Sequence, residues 1–264
     1  GTIKLDGNYP VGTNNVALGN AALDDGSLSG GYNTALGAEA LSANTTGQFN
    51  TAVGERSLLS NTTAGGNVAV GSLAMRLNVS GGANTAVGHY SLYTNSSGQY
   101  NTALGSNALF ANTTASNNTA VGYQAGYSNT TGTQNVAIGS YANFLNTTGS
   151  YNVSLGYGAL LSNTTASYNT AVGYQAGYSN TTATGNTALG RQALYNNTTS
   201  VNNTAVGSVS MFLTTGADNT AVGSGTMRFN SSGANNTVLG SSALYSNTTA
   251  SKNTAVGYQA GYSN

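Results

Sequence analysis

The chain contains no cysteine and no tryptophan, and only one proline and one histidine in 264 residues. Without cysteine there are no disulfides and no thiolate metal sites, and either redox compartment is compatible. Charge is equally scarce. Six basic and six acidic residues cancel, and charged side chains make up 5% of the sequence, against about a quarter of an ordinary globular chain. That removes the basic footprint needed to grip a phosphate backbone, so nucleic acid is not an expected partner. No apolar run approaches the ~18 residues of a membrane span, so insertion of this segment into a bilayer is not expected. No signal peptide is present either, and an exported protein would be represented here without its signal or anchor.

The inventory for catalysis is as thin. His89 is the single imidazole, and it occupies a position where other copies of the same motif carry Ser or Tyr. It reads as a solvent-facing polar residue. The acids are Asp6, Asp24, Asp25, Glu39, Glu55 and Asp218, of which only Asp24 and Asp25 are adjacent. The chain lacks G-x-S-x-G, a P-loop and an acidic calcium loop, and Gly156-Tyr157-Gly158 reads as a corner of the chain. The expectation is therefore a protein with no catalytic residues, no cofactor and no metal.

What the sequence has in abundance is repetition. One glycine closes the motif N-T-A-V-G or a variant of it, at Gly19, Gly37, Gly54 and onward to Gly240 and Gly257. The spacings are 18, then 17 ten times, then 16, 17 and 17. Fifteen copies of N-(T/V)-A-(V/L/I)-G-x-x-(A/S)-(L/M)-x-x-N-T-T-x-x-x therefore fill residues 14–264, after a non-repeat lead-in over 1–13. Such an array reads as an all-β parallel β-solenoid, one unit per rung, in which each rung is stabilised by its neighbours.

Within the unit, an extended N-T-A-V-G turns Thr204 and Val206 to one side and Ala205 to the other. The structural positions are exemplified by Asn135, Val136, Ala137, Ile138 and Gly139, and by Asn203, Thr204, Ala205, Val206 and Gly207. A small residue followed by a large apolar one, as in Ala108-Leu109, predicts a second buried strand, so that each rung has two strands and two corners. One Val and one Leu per rung are the large residues expected to be buried. The Asn of N-T-T suits a tight corner and an amide ladder along the stack. In three copies Gly126, Gly177 and Gly261 replace the large apolar residue, which predicts a pinched rung or one that admits a neighbouring side chain. The longer and shorter units place their length changes near the Asn corner, outside N-T-A-V-G. At about 4.7–4.9 Å per strand, fifteen rungs predict a narrow rod of roughly 70 Å. An Ala-dominated core is thin, which points to burial of one face in a parallel homo-oligomer.

The motifs Asn135-Val136-Ala137-Ile138-Gly139, Asn15-Val16-Ala17-Leu18-Gly19 and Asn67-Val68-Ala69-Val70-Gly71 resemble the N-x-V-A-I-G repeat in heads of YadA-type trimeric autotransporter adhesins. The longer N-T-A-V-G-Y-Q-A-G unit is similar to repeat regions of tail fibres from tailed bacteriophages, notably those of cyanobacteria. The resemblance covers nearly the whole chain, and it implies left-handed rolls assembled as a homotrimer on a virion tail fibre or a cell surface. The adhesin unit is nearer fourteen residues, and no stalk or anchor accompanies this one. The expected function is a structural fibre or adhesin-like shaft that spaces, and contacts, a host-surface receptor. The alternative is a cell-surface adhesin or extracellular matrix filament, with an ice-binding solenoid more distant.

Three surface features bear on partners. Tyr123, Tyr127, Tyr174, Tyr178, Tyr258 and Tyr262, in the repeated Y-Q-A-G-Y-S-N, are candidate contacts for a cell-surface glycan, or else stack between rungs. The Asn-Thr-Thr corners match the N-glycosylation acceptor, although a ladder role explains the asparagine without sugar. An ice-binding face would want Thr-x-Thr, whereas adjacent Thr-Thr points to opposite sides.

Overall fold

A computed structural model describes residues 14–263, and the lead-in over 1–13 lies outside them. The chain divides into two compact units, Gly1–Thr133 and Gln134–Asn264, built from the same rung. Among the described residues the first unit holds strands β1 (Val16–Leu18), β2 (Thr34–Leu36), β3 (Thr51–Val53), β4 (Val68–Val70), β5 (Thr85–Val87), β6 (Thr102–Leu104) and β7 (Thr119–Val121). The second holds β8 (Val136–Ile138), β9 (Val153–Leu155), β10 (Thr170–Val172), β11 (Thr187–Leu189), β12 (Thr204–Val206), β13 (Thr220–Val222), β14 (Thr237–Leu239) and β15 (Thr254–Val256). Within each unit, consecutive strands pair in parallel and in register. Ala52 lies beside Ala35 and Ala69, and Ala188 beside Ala171 and Ala205. Each unit is a parallel β-solenoid.

The strand buries its central residue. Ala35, Ala52, Ala69 and Ala86 are fully enclosed, and Ser154 and Val238 take the same place in β9 and β14. The flanking residues point outward, which corrects the expectation that the strand valine is buried. Alternation in an extended segment allows only one face inside, and the thin interior accepts the methyl group. The large apolar residues inside are Leu41, Leu58, Met75 and Leu92, with Leu160, Leu194, Met211 and Met227 in the second unit.

The stretch carrying those residues is not a second strand. Ala40 N–H donates to Gly37 O (3.3 Å) and Asn44 N–H to Leu41 O (3.1 Å), so successive tight turns run through it. Glu39 and Leu41 are both left-handed, at φ 56° and 52°. The sequence carries the physical reason: Ala and Leu are adjacent and both buried, which no extended strand permits. A left-handed residue rotates the second side chain inward. The turns still bond to their neighbours, with Leu41 N–H donating to Ser57 O (3.1 Å) and Glu39 N–H to Asn20 O (2.8 Å). Where glycine replaces the large residue, a Cβ on Gly126 would meet Leu109 Cδ2 at 2.9 Å, and one on Gly177 would meet Leu160 Cδ2 at 3.0 Å. The leucine of the preceding rung has moved into the space.

Two columns of buried asparagine hold the rungs together. Asn50 donates its backbone N–H and its Nδ2 to Asn33 Oδ1 (3.0 and 3.1 Å), and Nδ2 also to Ala64 O (2.9 Å). The corner residue Asn61 donates Nδ2 to Asn44 Oδ1 (3.0 Å) and to the same Ala64 O (3.1 Å). One carbonyl thus receives both amides, and the arrangement recurs at Gly81, Gly98, Ala166, Ala183 and Gly233. The corner column breaks between Asn180 and Asn197. Asn197 Nδ2 keeps its bond to Ser200 O (2.9 Å) but makes none to Asn180 Oδ1, which has no partner, and a cavity of about 10 Å³ lies beside Gly177.

The irregular rungs preserve the strand register. In the short one, buried Thr214 replaces the corner asparagine and accepts from Asn230 Nδ2 at 3.1 Å, while Thr204 stays opposite Thr220. In the long one, Asp25 accepts the Ser27 N–H at 2.8 Å to form a local turn, and Val16 stays opposite Thr34.

Two substitutions test this account. At Gly54 (φ +131°) an added Cβ would lie 2.6 Å from Gly71 C and O, so Gly54→Ala is expected to cost roughly 3 kcal/mol through both strain and backbone clash. Asn67→Ala removes the acceptor of Asn84 N–H and Nδ2 (3.0 and 3.2 Å) and one donor to Gly81 O. It is expected to cost about 2–4 kcal/mol. Denaturant unfolding measures both, and a loss below ~1 kcal/mol for Asn67→Ala would remove the ladder as the main tie between rungs.

Candidate functional site

In each unit the outer face of the strands carries a column of apolar side chains. In the second unit the third residue of each strand forms a column in which Ile138, Leu155, Leu189, Leu239 and Val256 are exposed. The first residue of each strand, mostly threonine, forms the parallel column about 6.5–7 Å away. The first unit repeats the pattern with Val53, Val70, Val87 and Leu104 beside Thr51, Val68, Thr85 and Thr102. A flat strip of branched side chains left to solvent is a surface for association.

The candidate tyrosines are mostly engaged with one another along the stack. Tyr127 stacks on Phe110 at 5.1 Å, Tyr174 on Tyr157 at 5.7 Å, Tyr178 on Tyr195 at 5.1 Å and Tyr262 on Tyr245 at 4.9 Å. Tyr123, Tyr174, Tyr258 and Tyr262 are exposed. In-register stacking covers ring faces and leaves edges and hydroxyls to solvent, which favours the rung-stacking role over sugar stacking for the engaged rings. Arginine takes an aromatic place in this column at two points. Arg76 Nη1 donates to Tyr93 Oη (2.8 Å), and the Arg228 guanidinium lies between Phe212 and Tyr245 at 5.8 and 5.9 Å from their centroids.

His89 is exposed beside the Tyr90 ring, edge-on at 4.1 Å. Asp25 is held by Ser27, and Glu39 pairs with Arg56 at 2.8 Å. Among the described residues no three His, Asp or Glu side chains gather as a metal-ligand set. The Asn-Thr-Thr asparagines are buried with Nδ2 bonded, as at Asn44, Asn61 and Asn112, so a folded rung presents no acceptor amide to a glycosyl-transfer enzyme. The corner threonines divide their roles. Thr45 Oγ1 donates to Thr62 O (3.0 Å) while Thr46 is exposed, which leaves single threonine columns instead of a paired Thr-x-Thr array.

Sequence reasoning missed the role of the strand-start asparagine, although its recurrence at every rung was the available signal. It also missed the position just before that asparagine. There Tyr32 stacks on Phe49 at 5.1 Å and Tyr151 on Tyr168 at 5.0 Å, outside the Y-Q-A-G-Y-S-N motif.

Electrostatics contribute little. The Arg56 hydrogen bond holds Glu39 below its ordinary carboxylate range, and the Ser27 hydroxyl and N–H do the same for Asp25. A lowered folded-state value favours folding above the ordinary carboxylate pKa, and that contribution disappears as pH falls through the folded value. Both groups are exposed, so the effect is small. The thermal midpoint is expected to be level from about pH 5 to 8 and to decline only below about pH 4. Calorimetry across that range checks it, and a marked slope between pH 5 and 8 would contradict it.

Comparison with protein-family models, with curated proteins and with solved structures finds no match to this chain.

Proposed function

We propose that these rungs are the shaft region of an extracellular receptor-binding fibre, of the kind carried on virion tails. In this reading the shaft holds a binding element at a distance, associates with parallel copies of itself, contacts surface glycans and catalyses no reaction. The observation that carries the reading is the outward strand face. Threonine and branched aliphatic columns run along it in register, and covering them with equivalent strands would bury what one chain leaves wet. The solenoid fold itself is consistent with a structural or adhesive repeat protein. The resemblance of N-T-A-V-G-Y-Q-A-G at 118–126, 169–177 and 253–261 to tail-fibre repeats supports the virion setting. The N-V-A-I-G motif at 135–139 supports the cell-surface adhesin as the second reading. Tail and baseplate genes beside the coding sequence would favour the first, and a downstream coiled coil with a barrel anchor the second.

The test is the solution mass by light scattering or sedimentation. The expected result is a trimer of the 26.3 kDa chain. Leu155→Lys together with Leu189→Lys, both outward and exposed, is expected to yield monomers that keep their β circular dichroism. A monomeric parent chain would overturn the association.

A further inference from the structure

One position per rung, immediately before the strand asparagine, is left-handed and turned outward. In five successive rungs of the second unit it is filled by Tyr151, Tyr168, Gly185, Asn202 and Asp218, at φ 60°, 62°, 71°, 57° and 57°. Side chains here lie one above the next. Tyr151 and Tyr168 stack at 5.0 Å with 3° between planes, and Asn202 Nδ2 donates to Asp218 Oδ1 at 3.1 Å. Gly185 interrupts the column. A phenol ring therefore stands on one side of a gap and the Asn202 amide on the other, two rungs or about 9.5 Å apart, with Asp218 one rung further on.

We propose that this gap over Gly185 binds one ring of a neutral sugar. The proposal rests on the glycan-contact part of the function above and moves the contact away from the six tyrosines of Y-Q-A-G-Y-S-N. Tyr168 is 65% exposed. One of its faces lies against Tyr151, and on the other side the next rung offers no side chain. Subtracting van der Waals contact of about 3.5–4 Å at each wall leaves room for a single pyranose over the phenol ring, outward of the Asn202 carbonyl that covers Gly185. Its C–H face would lie on Tyr168 and a hydroxyl would donate to Asn202 Oδ1, whose amide Asp218 holds from the next rung. Asn202 Oδ1 already leans over the gap, since a Cβ on Gly185 would meet it at 2.7 Å. Asp218 is the one acidic residue in 134–264. A carboxylate one rung behind Asn202 repels anionic sugars, so the ligand is a neutral hexose. The first unit supplies an internal contrast. Tyr32 and Phe49 stack and are followed by Gly66, but the next residue in that column is Ala83, which has no side-chain hydrogen-bonding group.

The experiment is saturation-transfer NMR on the full chain with the methyl glycosides of glucose, galactose and mannose, and with the methyl glycoside of sialic acid as the anionic comparison. Transfer to at least one glycoside is expected. It should be lost in Gly185→Asn, which fills the gap with a residue that tolerates the left-handed conformation, and in Tyr168→Ala. Binding should weaken roughly tenfold in Asn202→Ala and stay unchanged in Phe49→Ala. Thermal midpoints of the variants, with Tyr168→Phe as a variant that keeps the platform and should still bind, separate loss of the site from loss of the fold. Transfer that survives both Gly185→Asn and Tyr168→Ala overturns this site while glycan contact elsewhere stands. Transfer only from a sialic acid glycoside also overturns it. Absence of transfer from every glycoside overturns both the site and glycan contact by the shaft, with self-association judged separately by solution mass.

Discussion

A primary amide fits the spacing of parallel rungs better than any other neutral side chain. It offers two donors and an acceptor that repeat without change of sign from one copy to the next. Here the strand-start and corner asparagines meet at one carbonyl, as Asn50 and Asn61 do at Ala64 O. The strand and the corner of each coil are therefore fixed to each other as well as to the neighbouring coil. The low charge content follows from the same stacking. In an in-register array a charged position faces its own copy one rung away, so charge at a repeated position is self-repelling. Glu39 and Arg56 avoid this by carrying opposite signs at the same position of successive rungs.

The second constraint is conformational. Left-handed residues in the turn segment are unfavourable for non-glycine side chains by about 1–2 kcal/mol each, and the rung places leucine or methionine there, as at Leu58 (φ 51°) and Met75 (φ 48°). Burial of those side chains offsets the strain. Where the chain uses Asn143, Gly126 or Gly177 instead, the strain is relieved and apolar contact is lost. The rungs thus trade backbone ease against core volume position by position, and the leucine one rung below a glycine takes up part of the difference.

The period, the parallel stacking and the fixed register were legible in the spacing of one glycine. The corner asparagine and its ladder were legible too, because a polar residue at constant phase needs a repeated partner. Three things were not. The adjacency of Ala and Leu reads as strand by composition, whereas two neighbouring buried residues signal a turn. The strand valine reads as core by composition, because alternation tells which residues share a side without telling which side is inside. Alanine at the centre of the strand was the better indicator of a thin interior. The gap at Gly185 was invisible because it depends on what stands one rung to either side, a relation that emerges only when residues 17 apart are read as neighbours, as Thr187 and Thr204 are.

The shared carbonyl also bears on how such an array changes over generations. Because each rung closes on itself at one oxygen and meets its neighbours through the same asparagine positions, a whole rung can be inserted or removed while the rungs that remain meet partners of the same kind. The identical Y-Q-A-G-Y-S-N stretches beginning at Tyr123 and Tyr174 lie 51 residues apart, three rungs. Unequal exchange between their coding sequences would lengthen or shorten the protein in whole coils, so reach becomes a heritable quantity that varies independently of the fold.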